Sequence, residues 1–359
     1  MPDIPSTMRA LRKLRPEPGL TLETIPVPPI KSGEILVKVR AATICGTDLH
    51  IWNWDAWAQG RLRPPLTIGH EMAGDVVAIG SEVTNVKIGD FVGAESHFVC
   101  GHCYNCRIGA PHICKNTRIL GVDRDGCFAE YVAISAGNAW PTDPKLPPAV
   151  ASAQEPFGNA VHTALTNPLI ARSVLVTGCG PIGLFAIAIA RAAGASAIFA
   201  TDTAPARREM AAKLGGDKIT VYDAADPDVV KKIVAETDGE GVDVLLEMSG
   251  HPAALEQGFG ALRYGGHAAL LGICSQPLSE FDLTNAIVFK GASIYGVTGR
   301  KMFETWYQTK GLIETGQVDI RPVITDHLLL EDYQSAFEMM LSGKALKVAL
   351  YPHGLDGVW

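Results

Sequence analysis

The sequence is poor in positive charge, in unbroken apolar runs and in repetition, and each shortage closes off a class of function. Lys and Arg number 31 against 38 Asp and Glu, a net charge of −7, so electrostatic capture of nucleic acid or anionic lipid is not expected. The one basic cluster, "RALRKLR" at 9–15, is short and reads as a solvated strand edge. No apolar h-region opens the chain. The charge-free stretch from Ser173 to Ala190 approaches a membrane span in length but holds Gly178, Gly180, Pro181 and Gly183, so a buried strand–turn–helix is the better reading. No internal repeat or low-complexity tract is present. The expectation is a cytoplasmic globular protein, and 359 residues suggest two domains.

Cysteine is locally abundant. "CGHCYNCRIGAPHIC" places Cys100, Cys103, Cys106 and Cys114 at Cys-x2-Cys-x2-Cys-x7-Cys among Gly101, Gly109 and Pro111, a loop by its punctuation. Four such thiols suit disulfides, an iron–sulfur cluster or zinc. A reducing cytosol disfavours disulfides. A ferredoxin-type run ends in Cys-x3-Cys-Pro, whereas here the last gap is seven and Lys115 follows. Zinc in a closed thiolate tetrahedron is the better reading, and a closed site holds no substrate, so its role is structural. Another metal or a plain thiol-rich loop are the alternatives.

Residues 20–150 read as short apolar runs broken by Gly and Pro, a β-rich texture. From about 172 strands and helices alternate: "SVLVTG", "AIFATD", "KITVYD", "VDVLLEMSG", "HAALLGI" and "ASIYGVTG" as strands, with helices between, including "HPAALEQGFGALRYGG". This pattern predicts a parallel, doubly wound sheet covered on both faces. The tail from "KMFETWYQTKGLIETG" predicts a helix, a short β piece and another helix, packed back on the N-terminal part.

Gly178-x-Gly180-x-x-Gly183 lies between a predicted strand and a predicted helix, and Asp202 ends the next strand. In that setting Gly178 permits the tight turn, Gly180 the approach of a pyrophosphate and Gly183 close helix–sheet packing. Asp202 suits a ribose diol and repels a 2′-phosphate, which favours NAD over NADP; as a plain residue it would cap the following helix. Arg207 and Arg208 weaken the discrimination somewhat.

Cys45, His70 and Glu71 are thiolate, imidazole and carboxylate, a ligand set suited to zinc. Each also suits an ordinary place, as a small core residue, a satisfied turn histidine and a surface charge. Gly69-His70-Glu71-x2-Gly74-x5-Gly80-x2-Val83 resembles the zinc signature of the medium-chain, zinc-dependent alcohol dehydrogenase family. The four-cysteine lobe, the glycine fingerprint and the length carry that resemblance over nearly the whole chain.

The resemblance implies an α/β protein in two parts. A β-rich GroES-like catalytic domain would comprise 1–158 and 300–359, with a structural zinc lobe at about 97–116, and a Rossmann NAD-binding domain 159–299. It implies one structural and one catalytic zinc, the latter on Cys45, His70 and Glu71. Other alcohol dehydrogenases of the family supply a second cysteine where Glu155 stands, so Glu155 either binds zinc or acts through water or substrate, the two carboxylates exchanging during turnover. Thr47 and His50 would relay the proton through a ribose hydroxyl. NAD contacts are implied at Gly178, Gly180, Ile182, Gly183, Asp202, Arg207, Leu271, Gly272, Ile273, Val297 and Thr298. Cys127, Cys179 and Cys274 are expected as free, buried thiols. "ICGTDLHIWNWDAWAQ", "EPFGNAVHTAL" and "GRKMFETWY" resemble the branch that oxidises L-threonine to 2-amino-3-oxobutanoate, a homotetramer. Trp54 and Trp57 would shape that pocket. A polyol or secondary-alcohol dehydrogenase, for sorbitol or 2,3-butanediol, is the alternative; a non-catalytic nucleotide- or metal-binding relative is the remote one.

Overall fold

The computed structural model describes residues 4–274, 277–278, 280–355 and 358. The chain divides into two compact units, one running to Pro156 and resuming at Ile324, the other spanning Phe157–Val323. The return thus falls later than the expected 300. Helix Glu304–Glu314 buries Thr305, Trp306, Thr309 and Ile313, and Val318, Ile320 and Val323 beyond it are buried as well, which keeps 300–323 in the second unit.

In the first unit, strand Glu34–Thr43 is the hub. It pairs antiparallel with Glu71–Ile79, Tyr131–Ser135 and Lys347–Tyr351. Its side chains alternate faces. Ile35, Val37 and Val39 enter the main core with Val92, Phe128, Ile134 and Leu350, while Leu36 enters a second cluster with Met8, Val77 and Ala129. Both faces are therefore covered, and the register is strongly specified. That register sets Thr43 opposite Glu71 on one side and Ala349 on the other. The basic run at 9–15 forms strand Thr7–Lys13, and one of its charges is not solvated as expected. Lys13 is 1% exposed; its ammonium donates to Glu17 O and Gly19 O at 2.6 and 2.9 Å and lies 5.0 Å from the Trp54 ring centre. Burial lowers its pKa to about 8, against the pull of Glu17.

The second unit holds the six-stranded parallel sheet. Its order is Ile219–Asp223, Ala197–Asp202, Ser173–Thr177, Val242–Glu247, Leu262–Leu270, Ser293–Gly296. The order reverses beside Ser173–Thr177, so the carboxyl ends there open a crevice suited to a dinucleotide. One helix is shorter than its sequence suggests. Pro252–Ala261 stops before "LRYGG" because Leu262 is buried in the next strand opposite Val242, and Arg263 Nε reaches Asp243 at 2.7 Å.

Candidate metal and cofactor sites

The cysteine lobe folds around short turns, helix Tyr104–Arg107 and the 3-10 turn Pro111–Ile113. Its four thiols are free, and Cys103–Cys106, Cys103–Cys114 and Cys100–Cys114 sulfurs stand 3.6, 3.8 and 3.5 Å apart. Disulfide sulfurs would be bonded at about 2.05 Å. Four sulfurs at tetrahedral corners, each about 2.3 Å from zinc, would be separated by about 3.8 Å, so the set fits that ion. Backbone N–H groups of Cys103 and Asn116 point at Cys100 and Cys114 sulfurs at 3.4 and 3.3 Å. The His102 N–H, then the Asn116 amide, hold the Cys100 thiol down at about 5, while burial and its sulfur neighbours push Cys106 up to about 12. Four adjacent sulfurs ionise together only with a cation among them. Cys106→Ser is expected to halve the zinc content and lower the melting temperature; full zinc content in that variant would contradict the assignment.

The second cluster forms where three strands meet. Cys45 precedes helix Gly46–Asn53, His70 precedes strand Glu71–Ile79, and ligand atoms of Cys45, His70 and Glu71 lie within 4.8 Å of one another. Glu71 is fully buried. Its Oε2 accepts from Lys347 Nζ at 2.6 Å and from the Thr43 hydroxyl, while Oε1 has no hydrogen-bond partner. His70 Nδ1 likewise lacks one and lies 3.7 Å from Asp48 Oδ1. Asp48, itself buried, accepts the Cys45 N–H at 2.9 Å, so it caps the helix and faces the histidine at once. Burial disfavours a charged His70, yet Asp48 and Cys45, with Glu155 behind them, raise its pKa well above the imidazole range. Burial raises Asp48 to about 6. Positive charge is stabilised here, and the buried Glu71 Oε1 is without a hydrogen bond, which is what a bound cation would satisfy, while His70 Nδ1 faces Asp48 instead. A soft–borderline set of S, N and O donors fits zinc.

Glu155, in the first turn of helix Gln154–Ala164, is buried and accepts from Ser96 Oγ at 2.5 Å. The described three-residue cluster does not include it. Thr47 is half-buried with its hydroxyl 3.8 Å from Cys45 Sγ, and His50, exposed, pairs through Nδ1 with Asp55. Trp57 lies 5.9 Å from the His50 ring, whereas Trp54 packs under Lys13. Cys127 is buried with its thiol on Glu71 O at 3.7 Å, and burial beside Asp48 and Glu71 pushes it well up. Cys179 is also buried, but Cys274 is half-exposed, against expectation.

In the second unit the glycines behave as their spacing predicts. Gly178 has φ +87°, and a Cβ there would meet Ser249; one on Gly183 would stand 1.9 Å from Gly178 O. A Cβ on Gly180 would meet nothing within 4 Å, which leaves the backbone at the start of helix Pro181–Ala192 open to a phosphate. Asp202 is 7% exposed and clamped by two backbone donors, Cys179 N–H on Oδ2 and Ala204 N–H on Oδ1, each at 2.8 Å. Each oxygen keeps a lone pair for a ribose hydroxyl. Arg207 Nη1 stands 3.9 Å from Asp202, while Arg208 is committed to the Asp202 and Thr203 carbonyls and, at 3.1 Å, to Asp223. Leu271 and Gly272 N–H both donate to Glu247 O, Ile273 is 85% exposed, Val297 N–H donates to Leu270 O, and Thr298 is exposed. These loops leave the carboxyl ends of Leu262–Leu270 and Ser293–Gly296, the two strands beyond Val242–Glu247 in the sheet.

Residues 31–144 match the alcohol dehydrogenase GroES-like domain family and residues 181–315 the zinc-binding dehydrogenase family. An L-threonine 3-dehydrogenase from Symbiobacterium thermophilum is 50% identical over 347 residues, 96% of this chain and 98% of that protein. One from Bacillus licheniformis is 48% identical over 345 residues, 96% and 99%. Among solved structures, a zinc-binding dehydrogenase from Sinorhizobium meliloti bound to NADP superposes with TM-score 0.89 at 28% identity, covering 97% of this chain and 100% of that one. A 2R,3R-butanediol dehydrogenase from Bacillus subtilis gives 0.86 at 28% identity, covering 96% and 100%. The chain belongs to the medium-chain zinc-dependent alcohol dehydrogenase family, an enzyme family whose cofactors are zinc and a nicotinamide dinucleotide.

Proposed function

We propose that the protein oxidises L-threonine to 2-amino-3-oxobutanoate with NAD, releasing one proton. The observation that carries this reading is the likeness of about half of all residues, over nearly the full chain, to curated L-threonine 3-dehydrogenases, against 28% to the butanediol enzyme. Cys45, His70 and Glu71 would hold the catalytic zinc, Glu155 taking part as further ligand or as partner of the substrate ammonium. Zinc held there supplies a Lewis acid that favours loss of the hydroxyl proton. Asp48 orients His70, and Lys347 with Thr43 fixes Glu71 by one oxygen. Thr47 and His50 carry the proton outward. The Cys100, Cys103, Cys106 and Cys114 lobe would hold the structural zinc, the unit that runs to Pro156 and resumes at Ile324 would be the catalytic part, and Phe157–Val323 the cofactor-binding part.

Asp202 would select NAD. Asp202→Ala is expected to weaken NADH binding about tenfold, the loss of a charge-assisted hydrogen bond, and to narrow the gap to NADPH. Equal wild-type affinity for NADH and NADPH would contradict this role. Arg208 does not oppose it, since Asp223 holds its guanidinium.

The edge strand Ser293–Gly296, with Ile294 exposed and with Leu283, Val288 and Phe289 exposed in the segment before it, supports a homo-oligomer, a tetramer by resemblance. Light scattering that finds only monomers would reject it. No helix among the described residues is long and apolar enough to cross a membrane, and the proposed location is the cytoplasm.

A further inference from the structure

The proton path proposed above ends at His50, and the structure gives that histidine a partner. Resting on that reading, we infer that Asp55 is the outer positioning residue of the relay: its carboxylate holds the Nδ1 proton of His50 and leaves Nε2 as the nitrogen that takes up the substrate's proton.

His50 lies in the last turn of helix Gly46–Asn53, and Asp55 immediately precedes helix Ala56–Arg61. Between them Trp54 takes a left-handed φ of +53°, its N–H on Ile51 O at 3.3 Å, and the Asp55 N–H reaches His50 O at 3.4 Å. This turn folds the carboxylate back onto the imidazole. Asp55 Oδ2 pairs with His50 Nδ1, and Oδ1 accepts the Ala58 N–H at 3.1 Å. Both oxygens are thus fixed in direction. Burial pushes the Asp55 carboxyl up, but the His50 hydrogen bond and the Ala58 N–H outweigh it and hold the group below its ordinary range.

An ionised carboxylate only accepts hydrogen bonds, so the ring nitrogen facing it carries the hydrogen. In a neutral imidazole the lone pair is then at Nε2. Nε2 takes the proton that left the substrate hydroxyl, the imidazolium charge faces Asp55, and Nε2 passes the proton to water. Asp55 stays ionised throughout. One proton enters the path and one leaves it. The His50 side chain is 55% exposed, which gives water access to it.

Asp55 also caps helix Ala56–Arg61, so the test must separate the two roles. Asp55→Asn keeps a capping oxygen for Ala58, since asparagine serves as well as aspartate at that position. Its amide N–H₂, turned toward the ring, would force the hydrogen from Nδ1 to Nε2. The expected result is an unchanged zinc content and melting temperature, with kcat on L-threonine about tenfold lower and KM little changed. Added to His50→Ala, the same substitution should cost nothing further. The ¹⁵N shifts of the His50 ring in the unsubstituted enzyme should show a protonated Nδ1, a signature that a cap alone would not produce. A protonated Nε2 there, or an equal loss from Asp55→Asn with and without His50, would overturn the inference. An impaired His50→Ala beside a fully active Asp55→Asn sinks the role of Asp55 alone; an unimpaired His50→Ala sinks the relay and its extension together.

Discussion

His70→Ala is expected to lower L-threonine-dependent NADH formation by about 10³-fold, the several kcal/mol that a Lewis acid contributes to such a step. The argument is geometric. Cys45, His70 and Glu71 bring a sulfur, a nitrogen and an oxygen donor within 4.8 Å of one another. Removing His70 takes the only imidazole from the cluster and leaves a thiol and a buried carboxyl, too few donors to hold the ion, with Asp48 Oδ1 facing the gap. Zinc content should fall by one ion per chain, since the cysteine lobe keeps its own. NADH binding, measured by fluorescence, should change less than twofold, because Gly180 and Asp202 belong to the other unit. Retention of both metal and activity would show that His70 is only a satisfied turn histidine.

Lys347→Met should destabilise the zinc-free protein by about 3–5 kcal/mol, the cost of stripping one partner from a buried ion pair. Lys347 and Glu71 side chains are 3% and 0% exposed and 2.6 Å apart, and the ammonium has one further acceptor, Ile44 O at 3.0 Å. Burial would lower the lysine's pKa, but Glu71 first, then Cys45, raise it above its ordinary range, so the lysine is charged. At roughly 2–4 °C per kcal/mol the melting temperature should fall on the order of 10 °C in the presence of chelator. With zinc the fall should be smaller, because the cation then stands as counter-charge to Glu71. Equal falls with and without chelator would mean that Lys347 acts on packing rather than on the charge of Glu71.

Much of this was legible in the sequence because the chemistry is local there. Cys100 to Cys114 close their cluster through neighbouring turns, and Gly178 to Gly183 with Asp202 fit one strand–turn–helix–strand unit. Contacts across the sheet were not legible. Lys347 reaches Ile44 across 303 positions, and only the hub strand's register brings it to Glu71. The sole trace of it is a lysine opening the otherwise apolar "KVALY". Lys13 departs from its reading for a different reason: its charge is met by carbonyls of the loop that follows, which no pattern of charges announces. Asp55 carried a nearer signal, an aspartate ahead of a helix five residues after His50, but cap spacing does not disclose the second oxygen's use. The boundary near 300 slipped because helix Glu304–Glu314 is amphipathic, and periodicity does not say which unit receives its buried face.

The most direct test of the proposed activity is kcat/KM for L-threonine set against 2,3-butanediol and sorbitol, with NAD and zinc-replete enzyme. A site that pairs the ammonium and carboxylate of its substrate rejects alcohols lacking them by factors of about 10⁴. The account predicts a preference of that order for L-threonine; equal values for butanediol or sorbitol would contradict it.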